Sequence, residues 1–439
     1  MSAVLPYLEQ KPSERSKKDI FDDVVVHEED LLMGLGLVVP KDADGSTLDP
    51  LARPHTELTR LLWARQRVAT ALVGAKFKLD VDNGTLMVAV EPAVNRETVP
   101  WSFSASDLRR FSFFSTNSKM ECPTWDLPSG IASLGGSCPG AVFAQSTVPE
   151  AMMQTINDSK SPDYGRLLEN DSRSKDRLAY LIREVEQDKK HLPADERSPA
   201  VVNLQTTVCT RCYASGGKYG EAVVQFSEVA RLALVNAMLR TPALEEQLIT
   251  LIIRALEETK MHWVKGDVER HGIRPVRVHS SGDFYSQKYA EMWLKVADRL
   301  HNRALEAKLS GDREYKPIVL WAPTRTHVLK SWNDFWRSKR IPPNFVIRPS
   351  AYTVGDPAPY IKRDSPTGSK GTAVLFADDT EARLKGKLRG DGTKFDWQCG
   401  VYALGKGEKT CLLSTAPDGK TGCRACWKHP QLTVNYVVH

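Results

Sequence analysis

The chain has 439 residues, of which 41% are hydrophobic and 26% charged, and its formal net charge is +6. That length suits two domains or one barrel-sized domain with additions, and the composition is that of a soluble globular protein. The sequence offers neither a run of about eighteen apolar residues nor an apolar stretch near its start, so no helical membrane span and no signal peptide are expected, and the cytoplasm is the expected location.

Residues 1 to about 50 are charged and poorly periodic, and "KPSERSKKDIFDD" reads as a solvated arm. Residues 55 to 74 place Leu58, Leu61, Leu62, Ala69 and Leu72 near helical spacing, with Gly74 as the stop. In "KFKLDVDNGTLMVAVEP" an Asp-Asn-Gly turn separates two alternating runs, the pattern of a β-hairpin. Residues 142 to 205 are polar and charge-rich and read as an insertion with some helix near 173 to 190.

From residue 222 the pattern becomes regular. "AVVQFSEVARLALVNAMLR" predicts an amphipathic helix, and a second helix follows with Thr241 as its N-cap and Pro242 at its first position. "RPVRVHSSGDFYS", "KPIVLWAPTRTH" and "NFVIRPSAY" read as strands with their exit turns, separated by two helical segments, and "GTAVLFAD" reads as a fourth strand. Alternating strands and helices are the grammar of parallel βα units, which bind ligands beyond the carboxyl ends of their strands. The turns "HSSGDF", "APTRTH" and "RPSAY" fall at those ends.

The expected architecture is therefore α/β. It comprises an N-terminal α+β region over 1–110, a partial or full βα-barrel-like core over 111–389 and a cysteine-rich metal-binding tail over 390–439.

Eight cysteines are present. In a reducing compartment paired cysteines are more often metal ligands than disulfides. Cys399, Cys411, Cys423 and Cys426 lie within one loop-rich tail, the last two spaced as Cys-x-x-Cys, which is the donor set of a structural zinc or a [4Fe–4S] cluster. Cys138 in "GGSCPGA" and the pair Cys209 and Cys212 in "CTRCYASGGKYG" form a second set. Three thiolates on a cluster leave one iron open to a chelating ligand, whereas three on zinc leave a place for water. Cys122 is a candidate fourth ligand, and a bland alternative keeps Cys138 as a buried free thiol.

At the strand ends, His279 and Asp283 are candidate ligand-binding or proton-transfer groups, and Ser280, Ser281 and Gly282 could offer backbone N–H groups to an anion. The alternative is a polar turn in which Asp283 or Ser286 caps the next helix. Arg325 and Arg348 stand where a carboxylate or phosphate would be recognised, or form ion pairs on the rim. Trp321, Trp332, Trp336, Trp397 and Trp427 read as core or cluster cover before base-stacking groups. The positive excess is compatible with DNA or RNA as partner.

The ordered set "NSKM", "SCPGA", "CTRCYASGGKY", "RVHSSGDFYSQKYAEMW", "WAPTR" and "CRACW" resembles the phage gene-product-88 family over residues 110 to 439. Here residues 142 to 208 separate "CPGA" from the next cysteines, where the family pattern holds them close together. The succession is also similar, more distantly, to radical S-adenosylmethionine-like phage proteins, although the compact C-x-x-x-C-x-x-C of that group is absent. That resemblance implies a partial βα barrel with Cys138, Cys209 and Cys212 on a [4Fe–4S] cluster. It places His279, Ser281 and Asp283 on the S-adenosylmethionine side and Arg325 on the substrate side.

A fainter likeness of "SSGDFYS" and "APTRTH" to guanine transglycosylases implies a zinc-containing TIM barrel with Asp283 as nucleophile or acid/base. A third reading is a nucleic-acid-binding or host-interaction protein whose metal is structural.

Overall fold

The structure is a computed structural model. It describes residues 20–25, 65, 68–69, 72, 76–80, 85–89, 109–117, 120–130, 136–139, 209, 212, 214, 219, 221–258, 272–351, 359, 372–375, 397–398, 426 and 434–437. The expected insertion over 142–205 lies outside these residues, as do Cys399, Cys411, Cys423, Trp427 and therefore most of the expected metal-binding tail.

Four antiparallel strands open the chain: β1 (Ile20–Val25), β2 (Lys76–Asp80), β3 (Thr85–Ala89) and β4 (Arg109–Ser112), hydrogen-bonded in that order. The expected hairpin is β2–β3, antiparallel up to the pair Asp80 and Thr85. β1 corrects the reading of "DIFDD" as part of a solvated arm, because Phe21 pairs with Phe77. The segment IFDDVV places its apolar residues in adjacent pairs around two aspartates and so shows no strand alternation of its own. Residues 65, 68, 69 and 72 are helical, within the helix expected over 55–74, while Leu58, Leu61 and Leu62 lie outside the described residues.

The central sheet has the order β5 (Ser115–Asn117), β6 (Met120–Trp125), β7 (Arg274–Val278), β8 (Ile318–Thr324), β9 (Phe345–Pro349). β5 and β6 are antiparallel, and β6 to β9 are parallel neighbours in chain order. Between β6 and β7 come α1 (Ala222–Met238) and α2 (Pro242–Glu258). α3 (Gln287–Leu309) links β7 to β8, and a single 3-10 turn (Thr326–Val328) and α4 (Lys330–Ser338) link β8 to β9. The expectation of a mixed α/β core with parallel strands and intervening helices holds.

The strand "GTAVLFAD" is present as β10 (Thr372–Leu375), but it does not extend the central sheet. It pairs with β12 (Val434–Val437), which also pairs with β11 (Trp397–Gln398).

Helix starts follow sequence chemistry. α2 begins at Pro242, whose missing N–H costs nothing in a first turn, and the Thr241 hydroxyl oxygen accepts from the Leu244 N–H at 3.3 Å. α3 begins after Ser286, whose hydroxyl oxygen accepts from the Tyr289 N–H at 3.2 Å. The cap at this turn is thus Ser286.

α1 departs from its expected amphipathic character. From Gln225 to Leu239 nearly every side chain is buried, polar ones included. Gln225, Glu228 and Arg231 recur every three residues, so they share one face. Sequence reading takes such a stripe for the wet side of the helix; here it is inside the protein.

One hydrophobic core joins these helices to the sheet. Its centre is aromatic: Trp125 meets Phe113, Phe114 and Trp293 edge to face at 4.9, 5.3 and 5.6 Å between centroids. Phe284 meets Trp336 at 5.1 Å, and the Trp336 indole N–H donates to the Thr326 hydroxyl at 2.9 Å. Trp321, Trp332 and Trp336 are all buried, which is the core role expected of them.

Candidate functional site

The parallel strands β6 to β9 all deliver their carboxyl ends to one edge of the sheet. There, Trp125 is followed by Asp126, Val278 by His279 to Asp283, Thr324 by Arg325, and Pro349 by Ser350 and Ala351.

Asp126 organises this edge. Its Oδ1 accepts the Ser280 N–H at 2.8 Å, the Ser280 hydroxyl at 2.5 Å and the Ser281 N–H at 3.3 Å, and its Oδ2 accepts the Thr124 hydroxyl at 2.8 Å. The Ser281 hydroxyl donates to the Leu127 carbonyl at 2.9 Å. The N–H groups of Ser280 and Ser281 are therefore engaged within the protein. Gly282 sits at φ +81°, and a Cβ there would lie 2.5 Å from the Ser137 hydroxyl and 2.7 Å from the Leu127 Cβ. Only glycine fits the backbone angle and the space together.

The "GGSCPG" loop closes on the same turn. The Ser137 N–H and hydroxyl both donate to the Pro128 carbonyl at 2.8 Å, and the Cys138 N–H donates to the Gly130 carbonyl at 2.7 Å. Cys138 is half-buried. Cys209 is buried and Cys212 half-buried, and the Cys212 N–H donates to the Cys209 carbonyl at 3.3 Å. Ala214, two residues on, accepts the Ser129 hydroxyl on its carbonyl at 2.7 Å.

These three cysteines share one electrostatic neighbourhood with Asp283 and Arg325. Burial pushes the Cys138 thiol well up, and Asp283, Cys212 and Cys209 push it further. Burial raises Cys209 to about 11 against the pull of Arg325, whose side chain hydrogen-bonds it. For Arg325 burial works downwards, but Cys209, Cys212, Asp283 and Cys138 together outweigh it and the guanidinium is held more firmly charged. Among the described residues, no group of three or more His, Cys, Asp or Glu is gathered around the position of one metal ion.

Asp283 is buried and lifted to about 6, because desolvation outweighs its hydrogen bonds. Those come from the Phe284 N–H at 2.7 Å and the Thr324 hydroxyl at 2.7 Å on Oδ1, and from the Arg325 N–H at 2.8 Å on Oδ2. The Arg325 Nε donates to the Ala351 carbonyl at 3.1 Å. One carboxylate thus ties the exit of β7 to that of β8, and one guanidinium ties β8 to β9.

His279 takes another direction. It has φ +69° and is 1% exposed; its Nε2 lies 2.9 Å from the Tyr289 hydroxyl and its ring meets Phe284 at 4.6 Å. Burial, with Arg277 adding to it, lowers its pKa to about 3, so it is a neutral imidazole in the aromatic core. Arg348 is fully buried, and its Nε donates to the carbonyl of Cys426 at 2.9 Å. Cys426 of the tail therefore docks at the end of β9, while the other three tail cysteines lie outside the described residues. Cys122, on β6, is pushed up to about 12 by burial, and its charged neighbours are Arg277 and Asp126 rather than the other cysteines.

Sequence reading missed Asp126, Ser137 and the polar stripe of α1. A signal existed for Asp126, an acidic residue directly after a strand, but the strand "MECPTW" carries a proline and was not recognised. Behind the site, the Arg231 Nε donates to the Phe113 carbonyl at 2.9 Å and its Nη1 to the Asp126 carbonyl at 3.1 Å. Glu228 is raised to about 8, first by burial and then by Asp126.

The fold is that of an α/β protein with a parallel sheet, and its candidate site lies at the carboxyl edge of that sheet. The chain belongs to the Gene product 88 family, whose model matches residues 109–429 and so bears out the phage family that the motifs resemble. The match spans the central sheet and every cysteine. No curated protein and no solved structure matches the chain. Among the described residues, no helix is long and apolar enough to cross a membrane.

Proposed function

We propose that this chain is an iron–sulfur protein acting on nucleic acid or a nucleotide. In this reading Cys138, Cys209 and Cys212 hold a [4Fe–4S] cluster with one iron open to S-adenosylmethionine. The observation that carries it is the shared neighbourhood of these three thiols, beside Asp283 and Arg325, beyond the carboxyl ends of parallel strands. We read the sequential order β6 to β9 as part of a βα barrel, whose ligands bind at that end.

Three thiols are the donor chemistry such a group takes, while the described residues do not gather three donors around one ion position, so loading would draw the cysteines together. Burial makes Cys138 and Cys209 resist ionisation on their own, and iron takes cysteines as thiolates. A bound cluster of this kind supplies single electrons to a ligand on its open iron. The chain's own residues do the rest. Arg325 contributes a fixed positive charge beside Cys209 that favours an anionic ligand. Asp283, fastened by three donors, fixes the position of Arg325 through its backbone N–H. The net charge of +6 favours a polyanionic substrate.

The test is purification without oxygen, followed by measurement of iron, zinc and acid-labile sulfide per chain with an absorption spectrum. About four irons and four sulfides, or about eight of each if the tail holds a second cluster, support the reading. Zinc without sulfide overturns it and returns the tail and the middle set to zinc chemistry.

A further inference from the structure

The family match begins at residue 109, yet a residue upstream of it reaches the cysteine site. Arg65, on a helical segment of the N-terminal region, is 1% exposed. Its Nε donates to the Gln225 Oε1 at 2.7 Å, and its Nη2 donates to the Ser129 hydroxyl at 3.2 Å. Each of those two side chains passes the contact on. The Ser129 hydroxyl donates to the Ala214 carbonyl at 2.7 Å, and the Gln225 Nε2 donates to the Tyr219 carbonyl at 2.7 Å. Ala214 and Tyr219 bracket the "ASGGKY" stretch that follows Cys212. Gly130, the neighbour of Ser129, accepts the Cys138 N–H.

We propose that Arg65 is the positioning residue of the three-cysteine site: its two-pronged guanidinium fixes both ends of the segment after Cys212 and the loop that carries Cys138. This deepens the reading of those cysteines as ligands and rests on it. Arginine suits the task and lysine does not, because one planar fork serves two acceptors on two elements, whereas an ammonium is a single point.

The test is hydrogen–deuterium exchange on the full-length protein, as purified and after chelator treatment, read at peptides covering 129–138 and 209–219. Arg65→Met should speed exchange there by about tenfold or more, as the loss of a charged hydrogen-bond donor implies, while α2, α3 and β7 to β9 keep their protection. Arg65→Lys should fall between wild type and Arg65→Met. Ser129→Ala, which keeps the charge and breaks one relay, should loosen the same two peptides, and it decides the matter if Arg65→Met does not fold.

Unchanged exchange in both peptides, loss of protection across the whole core in Ser129→Ala, or a wild type already unprotected in both peptides would each overturn the proposal. Iron and sulfide are measured on the same samples. Local loosening without any cluster in the wild type sinks the metal reading and leaves Arg65 in its role. A cluster with no local loosening does the reverse.

Discussion

Asp126 and Ser280 lie 154 positions apart and are joined twice, through the backbone N–H at 2.8 Å and the side-chain hydroxyl at 2.5 Å, both to one carboxylate oxygen. This pair locks the exit of β6 to the exit of β7, and further along the same turn the Asp283 N–H donates to the hydroxyl of Ser137, the neighbour of Cys138, at 3.4 Å. Asp126→Ala leaves Ser280 and Thr124 donors buried without their acceptor and should destabilise the protein by about 2–3 kcal/mol. Asp126→Asn keeps one acceptor oxygen and should cost less. Urea unfolding of both variants checks the order; equal stability of Asp126→Ala and wild type would refute the lock.

Gly282→Ala should destabilise by at least about 2 kcal/mol. It combines a left-handed backbone angle with a methyl group placed against Ser137 and Leu127. Trimming Ser137 as well, in Gly282→Ala with Ser137→Gly, should recover only part of the loss, because the Leu127 carbonyl still stands 2.8 Å from the new Cβ. Thermal midpoints of the single and double variants measure this.

The pH dependence of stability has a His279 component. Its folded pKa is depressed to about 3 from an ordinary 6.5, so the unfolded chain binds this proton first. The contribution is fully present above pH 6.5 and is lost as pH falls towards 3, at about 1.4 kcal/mol per pH unit. His279→Asn, whose side chain tolerates φ +69°, should flatten the acid limb by about one proton. Denaturant midpoints between pH 4 and 7 test this, and parallel curves for the two proteins would count against it.

Glu228 acts with the opposite sign. Its folded pKa is raised to about 8 from 4.5, so the folded protein holds this proton more tightly than the unfolded chain. That stabilisation is present below pH 4.5 and is lost as pH rises to about 8. Glu228→Gln keeps the shape without the ionisation, so its stability relative to wild type should rise between pH 5 and 8. A constant difference across that range would show that Glu228 does not titrate there.

Cys138→Ser, Cys209→Ser and Cys212→Ser should each remove the iron and sulfide of the middle set. Cys122→Ser should leave them unchanged, since its charged neighbours are Arg277 and Asp126. The assay is metal and sulfide content after anaerobic purification. Retention of the middle-set iron in both Cys209→Ser and Cys212→Ser would defeat the ligand assignment.

The parallel core was legible because its signals are local. β7, β8 and β9 are short apolar runs ending in polar turns, and Thr241, Pro242 and Ser286 announce their helices. The residues of the site were legible as a set but not by role. Ser280 and Asp283 look alike as polar residues in a turn, yet one is spent on Asp126 and the other ties β7 to β8. His279 reads as a reactive histidine at a strand end, and only the aromatic side chains around it reveal a neutral core imidazole. The polar face of α1 was misread because periodicity reports that a face is polar, not whether another part of the chain covers it. "MECPTW" gives no clear strand signal, because proline in a run argues against a strand. Pro123 is tolerated at the pair Thr116–Pro123, next to the register shift that precedes the pair Asn117–Met120.

The contact between Arg348 and the Cys426 carbonyl has a consequence for the order in which the protein is made. The guanidinium leaves the ribosome 78 residues before the group that receives it. At about 5–20 residues per second, Arg348 at the end of β9 waits several seconds for this acceptor. Until then the Arg348 guanidinium lacks the Cys426 carbonyl, so the end of β9 reaches its final hydrogen bonding only after the tail has emerged.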